Sequence, residues 1–229
     1  VAQKLFAKII STRRAPKVAG QYKLIGGKSP INKWTEIQRS MLENSLRADG
    51  YDVSVLVAMR YWKPFTEDAV ARIEKGNFSK IILLPLYPHD SISTIGSSFN
   101  EWKRKYKGDE SKVIYIREYP TNDKYVQAIN ERIDQTILRF DEDVRKDIDL
   151  VFSAHGTPVS FVKKGDPYSH HIKQTVEAVM KERNYSHEFH LCYQSKVGPV
   201  KWLEPAVDDM IRDLKNNGKD HLLIIPISF

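Results

Sequence analysis

Three runs of the chain are apolar almost without interruption: KIILLPLY (80–87), the stretch around LVFSA (150–154) and HLLIIPISF (221–229). Runs this short that do not alternate with polar residues are strands covered on both faces, the state imposed by a parallel sheet with helices on either side. Between them the apolar period lengthens to that of helices, expected at about 35–48, 66–76, 94–106, 122–140, 169–183 and 203–217. Strands are expected at 51–59 (YDVSVLVAM), 80–87, 112–118 (KVIYIRE), 148–153, 187–193 and 221–228. Helix and strand in steady alternation specify an α/β fold with parallel sheets.

The pattern repeats at long range. Helix 35–49, strand 51–59, RYWKP, helix 66–76 and strand 80–87 return as helix 169–183, strand 187–193, QSKVGPVKWLEP, helix 203–217 and strand 221–228, with LLPLY answered by IIPIS. Duplication and generic α/β alternation both give this order. Duplication implies two similar α/β domains, 1–147 and 148–229, divided near the polar stretch DEDVRKDID (141–149), with a cleft at the carboxyl ends of the strands, where such sheets bind ligands.

The charge is lopsided. The net charge is +7, and residues 1–28 carry Lys4, Lys8, Arg13, Arg14, Lys17, Lys23 and Lys28 with no acidic residue, so the remainder is balanced. Within this segment Val1, Leu5 and Ile9 lie beside Ala2, Phe6 and Ile10, opposite Lys4 and Lys8, as on an amphipathic helix. A solvated basic helix accounts for it, as does attraction to an anionic lipid, a carboxylate-bearing ligand or nucleic acid. No 18-residue apolar run and no signal-peptide pattern is found, so the expected location is cytoplasmic. A single cysteine, Cys192, forms no internal disulfide and by itself holds neither structural zinc nor an iron–sulfur cluster.

Chemistry-bearing residues gather at the expected carboxyl ends of strands. His155 follows the strand at 148–153 and is backed by Gly156 and Pro158; a neutral imidazole there exchanges protons near neutral pH or ligates a metal, unless it is packed and bonded as architecture. Arg60 and Tyr61 end another strand, LYPHDSISTIGSS (86–98) a third, and Gln194 and Trp202 lie after a fourth. Arginine suits a carboxylate and the aromatics suit flat apolar walls, although each alone also reads as an ordinary ion pair or core residue. STIGSSF leads into a helix and offers a weak phosphate-cradle reading. His89-Asp90 and His170-His171 lack a zinc-site spacing and read as solvated loop residues.

Taken together and in order, YKLIGGKSPI, MRYWKP, LPLYPHDSISTIGSS, FSAHGTP with KGDPY, and YQSKVGPVKWLEP with HLLIIPISF resemble the ferrochelatase family over nearly the whole chain. The resemblance implies two Rossmann-like domains with parallel sheets and a porphyrin cleft between them, and insertion of Fe2+ into protoporphyrin IX or coproporphyrin III with release of two protons. It implies that His155 takes pyrrole protons, ligates the incoming metal, or both. Arg60, Tyr61, Tyr22, Ser29 and Trp202 match porphyrin-pocket positions, and residues 1–14 match a lip at the cleft mouth. There Arg13 and Arg14 would meet propionates or lipid headgroups in a peripheral membrane contact. Fe2+ enters as substrate, no cofactor is tightly bound, and no nucleic-acid partner is expected.

The departures are specific. Lys28 stands where the family has the third glycine of GGGSP, and Ile92 stands where cluster-bearing members have a ligand cysteine, so no iron–sulfur cluster is expected. The family's first strand would precede Val1, and its acidic metal ligand would follow Phe229, so the chain reads as a portion of a longer one. Three other readings stand beside iron insertion: a cobalt or nickel tetrapyrrole chelatase, a non-catalytic porphyrin or haem carrier, and a nucleic-acid binder resting on the basic lip.

Overall fold

The structure, a computed structural model, describes residues 2–196 and 198–228; the side chains of residues 2–10 and of Arg13 lie outside the described set. The chain forms two compact units, Val1–Arg72 and Ile73–Phe229. The expected boundary at 147/148 falls inside the second unit.

The first unit is helical. Helix α1 (Ala2–Lys23) continues beyond the expected amphipathic decapeptide, whose own side chains lie outside the described residues. Helix α2 (Ile31–Ala48) starts four residues earlier than expected and carries Arg39 between Glu36, at 2.6 Å, and Glu43. The anticipated strand at 51–59 does not form. Tyr51 donates its N–H to the Leu46 carbonyl at 3.0 Å, and the Arg47 guanidinium takes the Val53 carbonyl, so the backbone is drawn back to the end of α2. Only Met59 makes a bridge, to Phe65. An apolar run becomes a strand only when a neighbouring strand supplies its ladder. Helix α3 (Thr66–Lys75) then runs across the division between the units.

The second unit holds two separate parallel sheets. In the first, β1 (Ile81–Leu83) pairs with β2 (Val113–Tyr115), Ile81 opposite Val113. Strand β1 stops well short of the expected 80–87 because Pro85 and Pro88 have no N–H to give a ladder. A π-helical turn (Ile92–Gly96) leads directly into α4 (Ser97–Lys105), and α5 (Asp123–Ile137) follows β2. The second sheet has the order β4-β3-β5, all parallel, built from β3 (Asp149–His155), β4 (Phe189–Gln194) and β5 (Leu222–Pro226). It is crossed by α6 (Val159–Lys163), α7 (Tyr168–Glu182) and α8 (Val207–Asn216). Helix α8 begins after the expected 203 because residues 201–203 are extended: Leu203 N–H reaches the Thr157 carbonyl at 3.1 Å and Trp202 bridges Pro158.

Strand β3 carries the core. With strands on both sides and helices over both faces, it sends alternate side chains to two compartments. Leu150, Phe152 and Ala154 pack with Val126 and Ile133 of α5 and Ile172, Val176 and Val179 of α7, whereas Val151 lies with Cys192 and Leu214 of α8. Complete burial of a side chain such as Phe152 contributes about 2–3 kcal/mol. At its amino end, buried Asp149 accepts from His190 Nε2 at 2.9 Å and Lys219 Nζ at 3.1 Å, and these partners hold its carboxyl below the usual range against the effect of burial.

A polar seam ties the segment after β1 to α7. Thr175 donates its hydroxyl to the Pro120 carbonyl at 2.7 Å, so His89, 2.9 Å away through Nε2, donates to Thr175 Oγ1. Asp90 N–H meets His171 Nδ1 at 3.3 Å while its carboxylate holds Arg117 at 2.6 Å. His89, Asp90 and His171 are therefore buried rather than solvated, because a helix lies over a segment whose sequence reads as an open loop. His170 is exposed. Among the described residues no three His, Cys, Asp or Glu side chains converge to hold a metal.

Two predictions follow from these contacts. Burial, aided by the neighbouring His171, lowers the His89 pKa from 6.5 to about 4, so between those values the unfolded chain binds a proton that the folded one refuses. His89 therefore costs about 2 kcal/mol of stability as pH falls from 7 to 5. His89→Gln, which keeps a donor for Thr175, flattens that loss in urea titrations compared at the two pH values; an unchanged slope against pH would contradict it. Just beyond β3, a Cβ on Gly156 would lie 2.8 Å from the Gln194 carbonyl oxygen and 3.4 Å from the Trp202 ring. Gly156→Ala is expected to destabilise by about 1–3 kcal/mol, read as a lower urea midpoint at unchanged slope.

Candidate active site

His155 is the last residue of β3 and stands at the carboxyl edge of the second sheet, paired with Gln194 on β4. A residue in a strand points its N–H and C=O to the same neighbour, and for His155, as for Ser153, that neighbour is the β5 side. There the ladder has run out, since the last pair is Ser153 with Pro226. Side chains take over: His155 N–H donates to Ser228 Oγ at 2.8 Å, and the Tyr168 hydroxyl donates to the His155 carbonyl at 2.9 Å. The ring is half-buried, and that burial lowers its pKa below the ordinary 6.5, favouring the neutral base at pH 7.

The next residues bring the tryptophan. Gly156 N–H bonds the Gln194 carbonyl at 2.7 Å, Val159 N–H the Lys201 carbonyl at 2.9 Å, and Trp202 sits between these ties beside Gly156. Trp202, 47 positions after His155 in sequence, is thus brought to the same strand end. The glycine seen behind the histidine in the sequence is what permits this close approach.

The remaining expected residues lie in the first unit. The Arg60 guanidinium stacks over the Tyr61 ring at 4.7 Å, a cation–π pair whose tyrosine is 74% exposed. Tyr22 closes the end of α1, its carbonyl accepting from Gly27 N–H at 2.7 Å, and Ser29 Oγ accepts from Ile31 N–H at 3.3 Å at the start of α2. Arg14 is exposed on α1, and the side chain of Arg13 lies outside the described residues. In the IGGKSP turn only Gly26 and Gly27 take positive φ, +93° and +83°, so Lys28 in the third position meets no backbone penalty.

Just before STIGSSF (93–99), the entry to the helical turn is bonded within the protein itself. Ile92 N–H and the Ser91 hydroxyl donate to Asp166 Oδ2 at 2.8 and 3.0 Å, and the amides of Thr94 and Gly96 turn back to the Ser91 carbonyl. At Ile92 an internal carboxylate thus takes the amide that opens the turn. Asp166, Tyr168 and Ser228 are the residues that inspection of single motifs misses. Asp166 and Tyr168 are nevertheless visible in the sequence as KGDPY (164–168), whose carboxylate and phenol face segments far away in the chain.

Known proteins match this chain throughout. The ferrochelatase family model covers residues 1–229. The ferrochelatase of Geotalea daltonii is 45% identical over 229 residues, spanning 99% of this chain and 70% of its own length. That of Gloeobacter violaceus is 41% identical over 232 residues with the same two coverages, and that of Gloeothece citriformis 41% identical with 59% of its length matched. With its whole length matched by one family and several relatives above 40% identity, the chain belongs to the ferrochelatase family.

Proposed function

We propose that the chain inserts Fe2+ into a porphyrin, protoporphyrin IX or coproporphyrin III, and that His155 is the base that takes the pyrrole protons. One observation carries the reading: a half-buried imidazole at the carboxyl end of the central strand, its pKa lowered by that burial, with a tryptophan packed against the next residue, Gly156. The porphyrin loses two protons as the divalent ion enters, so a base that is unprotonated at pH 7 and close to the macrocycle supplies what the step needs. Trp202 serves as a flat apolar wall, and Arg60 with Tyr61 offers a cation and a ring face for a propionate and the porphyrin edge, with Tyr22 and Ser29 at the IGGKSP turn. Family membership favours this reading over the cobalt or nickel chelatase, the carrier and the nucleic-acid binder.

The same proposal divides the chain functionally at 147/148, between the β1-β2 sheet and the β4-β3-β5 sheet. It includes no iron–sulfur cluster: Ile92 offers no ligand, and buried Cys192, its thiol pushed up to about 11 by desolvation, is a poor one. It assigns residues 1–14 a peripheral contact with anionic lipid, through Arg13 and Arg14, in a cytoplasmic protein. Among the described residues no helix is long and apolar enough to cross a membrane.

The test is anaerobic iron insertion followed by loss of porphyrin fluorescence. His155→Ala is expected to lower kcat by about 10²–10⁴-fold with porphyrin affinity little changed. In the unaltered protein the acidic limb of the kcat/KM profile, which reports the free enzyme, should fall below pH 6.5, because lowering the imidazole pKa moves protonation, and with it loss of the base, to lower pH. Insertion unaffected by the substitution would return His155 to architecture, and tight porphyrin binding without insertion would favour the carrier.

A further inference from the structure

Three chain segments meet behind His155 through one buried carboxylate and one buried phenol. Asp166 is buried and accepts three hydrogen bonds: Ser91 Oγ at 3.0 Å and Ile92 N–H at 2.8 Å on Oδ2, and Tyr168 N–H at 3.0 Å on Oδ1. It therefore fixes the entry to the π-helical turn and the first residue of α7 to the same group. Tyr168, 1% exposed, turns its hydroxyl to the His155 carbonyl at 2.9 Å and also bonds the Ser228 side chain, which itself accepts the His155 N–H. Both backbone polar groups that His155 presents at the end of the ladder are thereby held by side chains that hold each other.

A strand end without this closure would be free to fray, because no further ladder bond to β5 restrains it. The closure acts on the main chain of His155, through its N–H and its carbonyl. We propose that Asp166 and Tyr168 are positioning residues for His155, Tyr168 by fixing its main chain and Asp166 by fixing Tyr168 to the π-helical turn that precedes α4. The inference rests on His155 being the base assigned above.

Four variants of the full-length protein test it. Tyr168→Phe keeps the ring and removes the bond to His155; it should lower kcat about tenfold while KM for porphyrin stays within twofold. Its acidic limb should move to higher pH, since a loosened strand end readmits water to the imidazole and relieves the desolvation that depresses its pKa. Asp166→Asn sets an amide N–H against either the Ile92 or the Tyr168 N–H and should change kcat in the same direction. Tyr119→Phe removes a comparable phenol bond, to the Pro85 carbonyl at 2.9 Å, and should lower the melting temperature alone. If Tyr168→Phe behaves like Tyr119→Phe, with kcat and pH profile unmoved, the positioning role is overturned; if only Asp166→Asn leaves kcat unchanged, the Asp166 half is. His155→Ala run alongside separates the cases, because an inactive His155→Ala with an unaltered Tyr168→Phe defeats this inference and spares the base assignment.

Discussion

The parallel ladder on both sides of β3 is the constraint on which the rest of the second unit depends. Asp149–His155 is paired in parallel to β4 and β5 and carries apolar side chains toward both faces, so α5 and α7 cover one face while α8 covers the other. The same pairing fixes where the strand ends. Once Pro226 is reached, β5 has no more ladder to offer, and the next outward-facing backbone belongs to His155. The candidate catalytic group thus stands at the first position where the sheet stops dictating backbone bonds and side chains begin to.

The way that edge is finished explains its chemistry. Half-burial lowers the pKa of the imidazole and so favours its neutral form, Gly156 leaves room for Trp202, and Asp166 takes the Ile92 amide and the Ser91 hydroxyl at the start of the π-helical turn. Polar groups in this region are consumed by one another. His89, Asp90 and His171 likewise serve α7 and the segment after β1, which is why histidines that resemble metal ligands in the sequence form no ligand cluster among the described residues. A buried polar seam of this kind is favourable only when its members are mutually satisfied.

Much of this was legible beforehand, and the exceptions have physical causes. The α/β alternation, strand β3 to within two residues and the position of His155 follow from uninterrupted apolar runs, which only doubly covered strands require. The run 51–59 misled because its apolar content shows that it prefers burial, not that a partner strand lies beside it; the end of α2 captured its backbone instead. LPLYP overextended β1 because the prolines that end the ladder look merely apolar in a hydrophobicity pattern. Trp202 stands out in the sequence as an aromatic after a strand end, and the family resemblance gives it a pocket position, but nothing in local periodicity reveals its contact with Gly156 across 46 positions. Asp166 is not legible in the sequence because a carboxylate in a GDP turn reads as exposed, whereas it accepts from the distant Ile92 amide as well as the nearby Tyr168 amide.

The central claim is that the fold holds His155 as a neutral base. Ring-nitrogen NMR of the protein labelled with 15N at histidine, with His155→Ala used to assign the resonance, measures it without reference to turnover. The account predicts a His155 titration midpoint below 6.5 and a neutral ring at pH 7. A midpoint at or above 6.5 would contradict the lowering by burial, and one above 7 would leave mainly imidazolium at neutral pH.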